Sequence, residues 1–142
     1  MTVFVLDNSV AMRWHLESEK QSDQDYADAV LVSLAESDAF VPNLWHLEAT
    51  NVLLGAENRG DTTLGEIERF IAQLESLPLH VDPLTARQSF TRNMSLARAY
   101  KLSSHDAAYL ELAVREGLPL ATLDENLLKA AKKADIAIYL KS

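Results

Sequence analysis

Residues 102–128, LSSHDAAYLELAVREGLPLATLDENLL, decide how the chain is read. Leu102 is followed by Ser103-Ser104-His105-Asp106, the sequence of a helix start with Ser103 as N-cap. The helix runs into the turn at Gly117. A short buried strand follows, and a new helix begins at Asp124. One acid, Asp106, lies in the first turn of a helix, and the other, Asp124, lies where a strand ends. In an open parallel sheet the carboxyl ends of the strands are where sites assemble. The N-terminus repeats the pattern: Val3–Leu6 is an apolar strand closed by Asp7, with Asn8 and Ser9 behind it.

Outward from that stretch, short β-branched strands alternate with helices. The expected strands are Val3–Leu6, Ala39–Pro42, Leu79–Val81, the one before Asp124, and a last one at Ile136–Leu140. Between them, helices are expected over Tyr26–Ala35, Leu44–Arg59, a segment capped by Thr62 or Thr63 and ending near Leu77, Thr85–Lys101, and a final one through Ala134. Glu17–Gln24 reads as a polar loop. Such alternation predicts an α/β domain with a central parallel five-stranded sheet and helices on both faces. No linker, repeat or low-complexity run interrupts it, so residues 1–142 are expected to form a single domain.

Composition bounds the chemistry. With no cysteine, disulfides, thiolate metal sites and a Cys nucleophile are excluded. The apolar start is too short for a signal peptide and has no basic flank. No run approaches the ~18 apolar residues of a membrane span, and a cytoplasmic protein without membrane contact is expected. Acids outnumber bases 21 to 13, giving a net charge of −8. That balance argues against a duplex-coating protein but not against a nuclease, because bound divalent cations invert the sign of an acidic site. It also suits a basic protein partner. The four histidines lack zinc spacing, and no phosphate-binding glycine loop or GxSxG elbow occurs.

Each acid has an ordinary explanation on its own. Asp7 and Asp124 directly precede helices, where Asp is a favoured N-cap. Asp106 completes a capping box with Ser103. Glu48 falls within the apolar arc of the Leu44–Arg59 helix, which is expected to be largely buried, on one stripe with Asn51 and Gly55. It could pair with Arg59 or lie at a partly open edge. The combination outweighs the separate explanations. Two acids close parallel strands, two more occupy inward helix faces, and the hydroxyls of Ser9 and Thr122 accompany them. A thiol-free, imidazole-free carboxylate cluster is hard-cation chemistry, Mg²⁺ or Mn²⁺ rather than zinc.

DNSVAMRW (7–14), PNLWHLEATNVLLGAENRG (42–60) and the 102–128 stretch together resemble the PIN-domain ribonucleases, and within them the VapC-type toxins of toxin–antitoxin pairs. The resemblance spans essentially the whole chain in order. By position it places the family's four acids on Asp7, Glu48, Asp106 and Asp124, and its small polar positions on Ser9 and Thr122, with Asn51 as a helper. Asn126 stands where some relatives carry a further acid. The resemblance implies an endoribonuclease dependent on one or two Mg²⁺ or Mn²⁺ ions, an RNA substrate, homodimerisation and a cognate basic antitoxin. Asp7, Asp106 and Asp124 would be metal ligands. Glu48 would be a further ligand, or would act on the attacking water, while Ser9 and Thr122 hold carboxylates or waters in place. Two rivals come from other classes. A dehalogenase-type phosphatase needs a second acid two residues after the first, where Ser9 stands. A doubly wound regulatory or interaction domain would use these acids only as helix caps.

Overall fold

The structure, a computed structural model, describes residues 2–141. Its sheet has four strands, all parallel, in the order β3-β2-β1-β4. They are β1 (Thr2–Leu6), β2 (Ser37–Pro42), β3 (Leu79–Asp82) and β4 (Leu120–Ala121). The helices flanking this sheet are α1 (Asn8–Ala11, continued by a 3-10 turn over Met12–Trp14), α2 (Gln21–Ser33), α3 (Trp45–Asn58), α4 (Leu64–Glu75), α5 (Thr85–Gln88), α6 (Met94–Tyr100), α7 (Ser104–Glu116) and α8 (Glu125–Lys133).

Strand β1 is central, and Phe4, Val5 and Leu6 are all fully buried. This explains its unbroken apolar run: a parallel strand covered on both faces has no polar side to alternate with. From β1 the chain steps to β2 and β3 on one side, then crosses to β4 on the other. The switch in direction therefore falls between β1 and β4, where such sheets open a crevice at the carboxyl ends. Asp7 N–H donates to the Ala121 carbonyl at 2.9 Å and holds the two strand ends side by side.

The expected fifth strand does not form. Ile136–Leu140 contributes one parallel bridge, Ile138 to Leu120, with Leu120 N–H bonded to the Ala137 carbonyl and Tyr139 N–H to the Leu120 carbonyl. With only two residues in β4 there is little ladder to extend, and Asp135 and Leu140 at φ 59° and 62° leave the extended region at either end. Side chains anchor this segment instead. Tyr139 stacks on Phe4 with ring centroids 3.8 Å apart and donates to Ser33 Oγ at 2.8 Å.

Helix α3 also departs from expectation. Trp45, Ala49, Leu53 and Ala56 form one buried stripe, whereas Leu47 is 75% and Leu54 51% exposed. The supposed polar loop 17–24 already contains the first turn of α2. The helix expected over Thr85–Lys101 is interrupted by a π-helical segment, Ser89–Asn93. Thr63, rather than Thr62, caps α4 through a full capping box with Glu66.

Candidate functional site at the strand switch

Asp7 follows β1 in the N-cap position of α1, yet its side chain makes no capping bond. Instead Ser9 Oγ donates to Asp7 Oδ2 at 2.6 Å and Thr122 Oγ1 donates to the same oxygen at 2.7 Å. Both hydroxyls also accept backbone amides of the loop after β4: Leu123 N–H bonds Ser9 Oγ at 3.0 Å, and Asp124 N–H bonds Thr122 Oγ1 at 3.0 Å. A hydroxyl has one proton to give and lone pairs to receive. Ser9 and Thr122 spend theirs joining the β1 and β4 termini through a single carboxylate oxygen.

Asp124 does cap α8, accepting Asn126 N–H at 3.1 Å. Asp106 lies in the first turn of α7, and its own N–H donates to Ser103 Oγ at 3.1 Å. The forward half of the expected capping box thus forms; among the described residues the Asp106 carboxylate makes no return bond to Ser103. It lies close enough to Asp124 for that acid's charge to raise its proton affinity. Glu48, in the first turn of α3, does not pair with Arg59, which bonds Asp61 at 3.2 Å. Its Oε1 accepts the hydroxyl of Tyr109 at 2.5 Å.

The electrostatics record the convergence. Asp7, nearly sealed from solvent, is pushed up from the usual 3.8 to about 6. Burial is the main cause, opposed by the Ser9 and Thr122 hydrogen bonds and reinforced by the charges of Glu48 and Asp124. Half-buried Asp106 is pushed up to about 7, first by burial, then by the charges of Asp124 and Asp7, the hydrogen bond to Asp124, and Glu48. Burial and the charges of Asp7 and Glu48 also raise the Tyr109 phenol, keeping it a proton donor. Among the described residues no ion pair neutralises any of the four acids. The arginines that do pair, Arg59, Arg92 and Arg115, serve Asp61, Glu111, Asp82 and Glu116.

The charges of the four carboxylates therefore meet at the strand switch, where they raise the proton affinity of Asp7 and Asp106. The carboxylates are not drawn into a closed cage: among the described residues no group of three His, Cys, Asp or Glu side chains stands ready to hold a metal ion. The donor set is nevertheless all oxygen, and the side-chain Oδ1 of buried Asn8, next to Asp7, has no hydrogen-bond partner among the described residues. Such donors suit a hard, hydrated cation that keeps several of its waters. Asn51, the expected helper, is exposed one turn beyond Glu48 and makes no described bond to the acids. Sequence reasoning missed Tyr109 and Asn8. Tyr109 lies three residues after Asp106, a spacing that puts both on one face of α7 and could have drawn attention to it.

A doubly wound domain with an acidic crevice at its strand switch is the class this geometry defines. The PIN domain family matches residues 4–133, and the chain belongs to it. Among solved structures, the chain is similar to PAE2754 from Pyrobaculum aerophilum, with a TM-score of 0.67 and 22% identity over 96% of this chain and 83% of that one. It is also similar to a chain of a toxin–antitoxin complex from Klebsiella pneumoniae, with a TM-score of 0.56 and 18% identity over 85% and 86%. At these identities the likeness is one of fold. No curated protein matches the sequence significantly. Among the described residues no helix is long and apolar enough to cross a membrane.

Proposed function

We propose that the protein is a Mg²⁺- or Mn²⁺-dependent endoribonuclease and the toxin of a toxin–antitoxin pair, acting on RNA in the cytoplasm. The observation that carries the reading is the set of four uncompensated acids at the strand switch, of which buried Asp7 is held by two hydroxyls rather than used as a helix cap. Nothing in helix capping calls for Glu48 and Asp124 to raise the proton affinity of both Asp7 and Asp106. Asp7, Asp106 and Asp124 would hold the cation, with Glu48 as a further ligand or as the acceptor of a proton from water. When bound, the cation supplies an activated water and neutralises charge developing on the phosphate.

The chain's own residues set the geometry. Ser9 and Thr122 occupy Oδ2 of Asp7, leaving Oδ1 as its free oxygen. Asp124, fixed by its cap, approaches Asp106 from the β4 side. Hydrolysis joins the water's oxygen to phosphorus and breaks one P–O ester bond; a carboxylate, for which Glu48 is the candidate, would take the water's proton, and the departing sugar oxygen would take one from solvent. The cognate antitoxin would be a basic chain presenting an arginine, whose planar fork matches paired carboxylates. The chain's net charge of −8 favours such a partner, as does the fold shared with a chain of a toxin–antitoxin complex. A homodimer completes the reading and is checked by light scattering.

Cleavage of single-stranded RNA by the purified chain, with Mn²⁺ and then with EDTA, tests the activity. Asp124→Asn is the informative variant, because Asn caps α8 about as well as Asp. Loss of cleavage by orders of magnitude with an unchanged fold is expected. Full activity in Asp124→Asn, or in EDTA, refutes the assignment.

A further inference from the structure

We infer that Tyr109 is a positioning residue that fixes Glu48 in the crevice by donating its phenolic proton to Glu48 Oε1. The inference rests on the nuclease reading of the site and deepens it. Tyr109 is fully buried in α7, and its hydroxyl meets Glu48 Oε1 at 2.5 Å across 61 residues of sequence. The backbone of Asn8, the residue after Asp7, is the phenol's other polar neighbour. One hydroxyl thus stands among the start of α1, the first turn of α3 and the inner face of α7, the elements that carry or follow Asp7, Glu48 and Asp106.

Glu48 needs such a constraint. It has no cationic partner among the described residues, is only half buried, and has a side chain long enough to leave the crevice for solvent. Asp7 and Asp124 are short and tied by hydroxyl or backbone bonds. Tyrosine supplies what Glu48 lacks: a donor on a packed ring with few torsions to freeze. By taking Oε1 it leaves Oε2 as the oxygen free for a cation or a water. The same division is imposed on Asp7, where Ser9 and Thr122 take Oδ2. Partners of this kind fix a ligand's orientation, and their loss typically costs about 10–100-fold in metal affinity or activity.

Tyr109→Phe removes the donor and keeps the ring. Mn²⁺ binding, followed by the electron spin resonance of free Mn²⁺ without RNA, should weaken about tenfold, and kcat should fall by about the same factor. KM for RNA should stay unchanged. In a Glu48→Gln background Tyr109→Phe should add nothing, because it acts through Glu48; a purely structural role would give effects that multiply. A measurement on the unaltered chain covers the case in which Tyr109→Phe fails to fold. With ring-labelled tyrosine, the signal perturbed by Glu48→Gln should also shift when Mg²⁺ is added. Mn²⁺ affinity and kcat within twofold of wild type in Tyr109→Phe, multiplying effects, or a signal unmoved by saturating Mg²⁺ each overturns the inference. If the wild type binds Mn²⁺ and cleaves RNA while Tyr109→Phe matches it, only the role of Tyr109 falls. If the wild type does neither, the nuclease reading falls and the inference with it.

Discussion

Asp7→Asn should make the metal-free protein more stable at neutral pH. The carboxyl binds its proton at about 6 in the fold against an ordinary 3.8. Between those pH values the native state holds more protons than the unfolded chain, so stability falls as pH rises. It is fully present below about 3.8 and is lost as pH passes through about 6. At about 1.4 kcal/mol per tenfold change in proton affinity, the loss is about 3 kcal/mol. Asn carries no charge to desolvate, and its carbonyl oxygen can accept the Ser9 and Thr122 hydroxyls that now bond Oδ2. Imperfect repacking reduces the gain, so about 1–3 kcal/mol is expected at pH 7, which raises the melting temperature by several degrees for a chain of this size. Thermal melts of both proteins in EDTA at pH 7 and near pH 4 measure it. The advantage should largely vanish at the lower pH, where the native Asp7 is itself neutral. A variant that melts at or below wild type at pH 7, or whose advantage is unchanged near pH 4, refutes the burial and repulsion argument.

Adding Mn²⁺ to the wild type at pH 7 should restore stability by binding only the folded state, by about 2.7 kcal/mol at a hundred times its dissociation constant; an unshifted melt counts against a cation site. Ser9→Ala should retain the fold but lose roughly tenfold in cleavage rate, since Thr122 still holds Asp7 Oδ2; initial rates at saturating Mn²⁺ check this. Arg115→Leu should destabilise strongly. The guanidinium bonds Asp82 at 2.6 Å and Glu111 at 2.7 Å, and Glu111 is 1% exposed, so two buried carboxylates lose a partner at a cost of about 3–5 kcal/mol in urea unfolding. Asn51→Ala, at an exposed position with no described bond to the acids, should leave both melting temperature and cleavage rate nearly unchanged.

What the sequence by itself determined is local or carried by periodicity. The apolar run Val3–Leu6 is legible as a buried parallel strand. Ser103 reads as the cap of α7 and Asp124 as that of α8, and the structure forms both bonds. Asp7, Asp106 and Asp124 stand out because strands end or helices begin there, boundaries that one turn's chemistry fixes, and Glu48 stands out as a carboxylate in an apolar arc. Long-range pairing had to be decided by the tertiary structure. Asp7 looked like a cap, and only the approach of Thr122, 115 residues away, shows its carboxylate held by hydroxyls instead. The Tyr109–Glu48 bond joins two helices whose separate patterns say nothing of each other. Ile136–Leu140 had the composition of a strand, but a strand needs a neighbour long enough to pair with, and β4 offers two residues. Leu47 and Leu54 fit the apolar pattern of α3 yet remain exposed, because a helix against a sheet can bury only the stripe that faces it. Backbone propensity and side-chain polarity act within a few residues of the chain. Which strand lies beside which, and so which acids share a crevice, depends on how the whole chain buries its apolar surface.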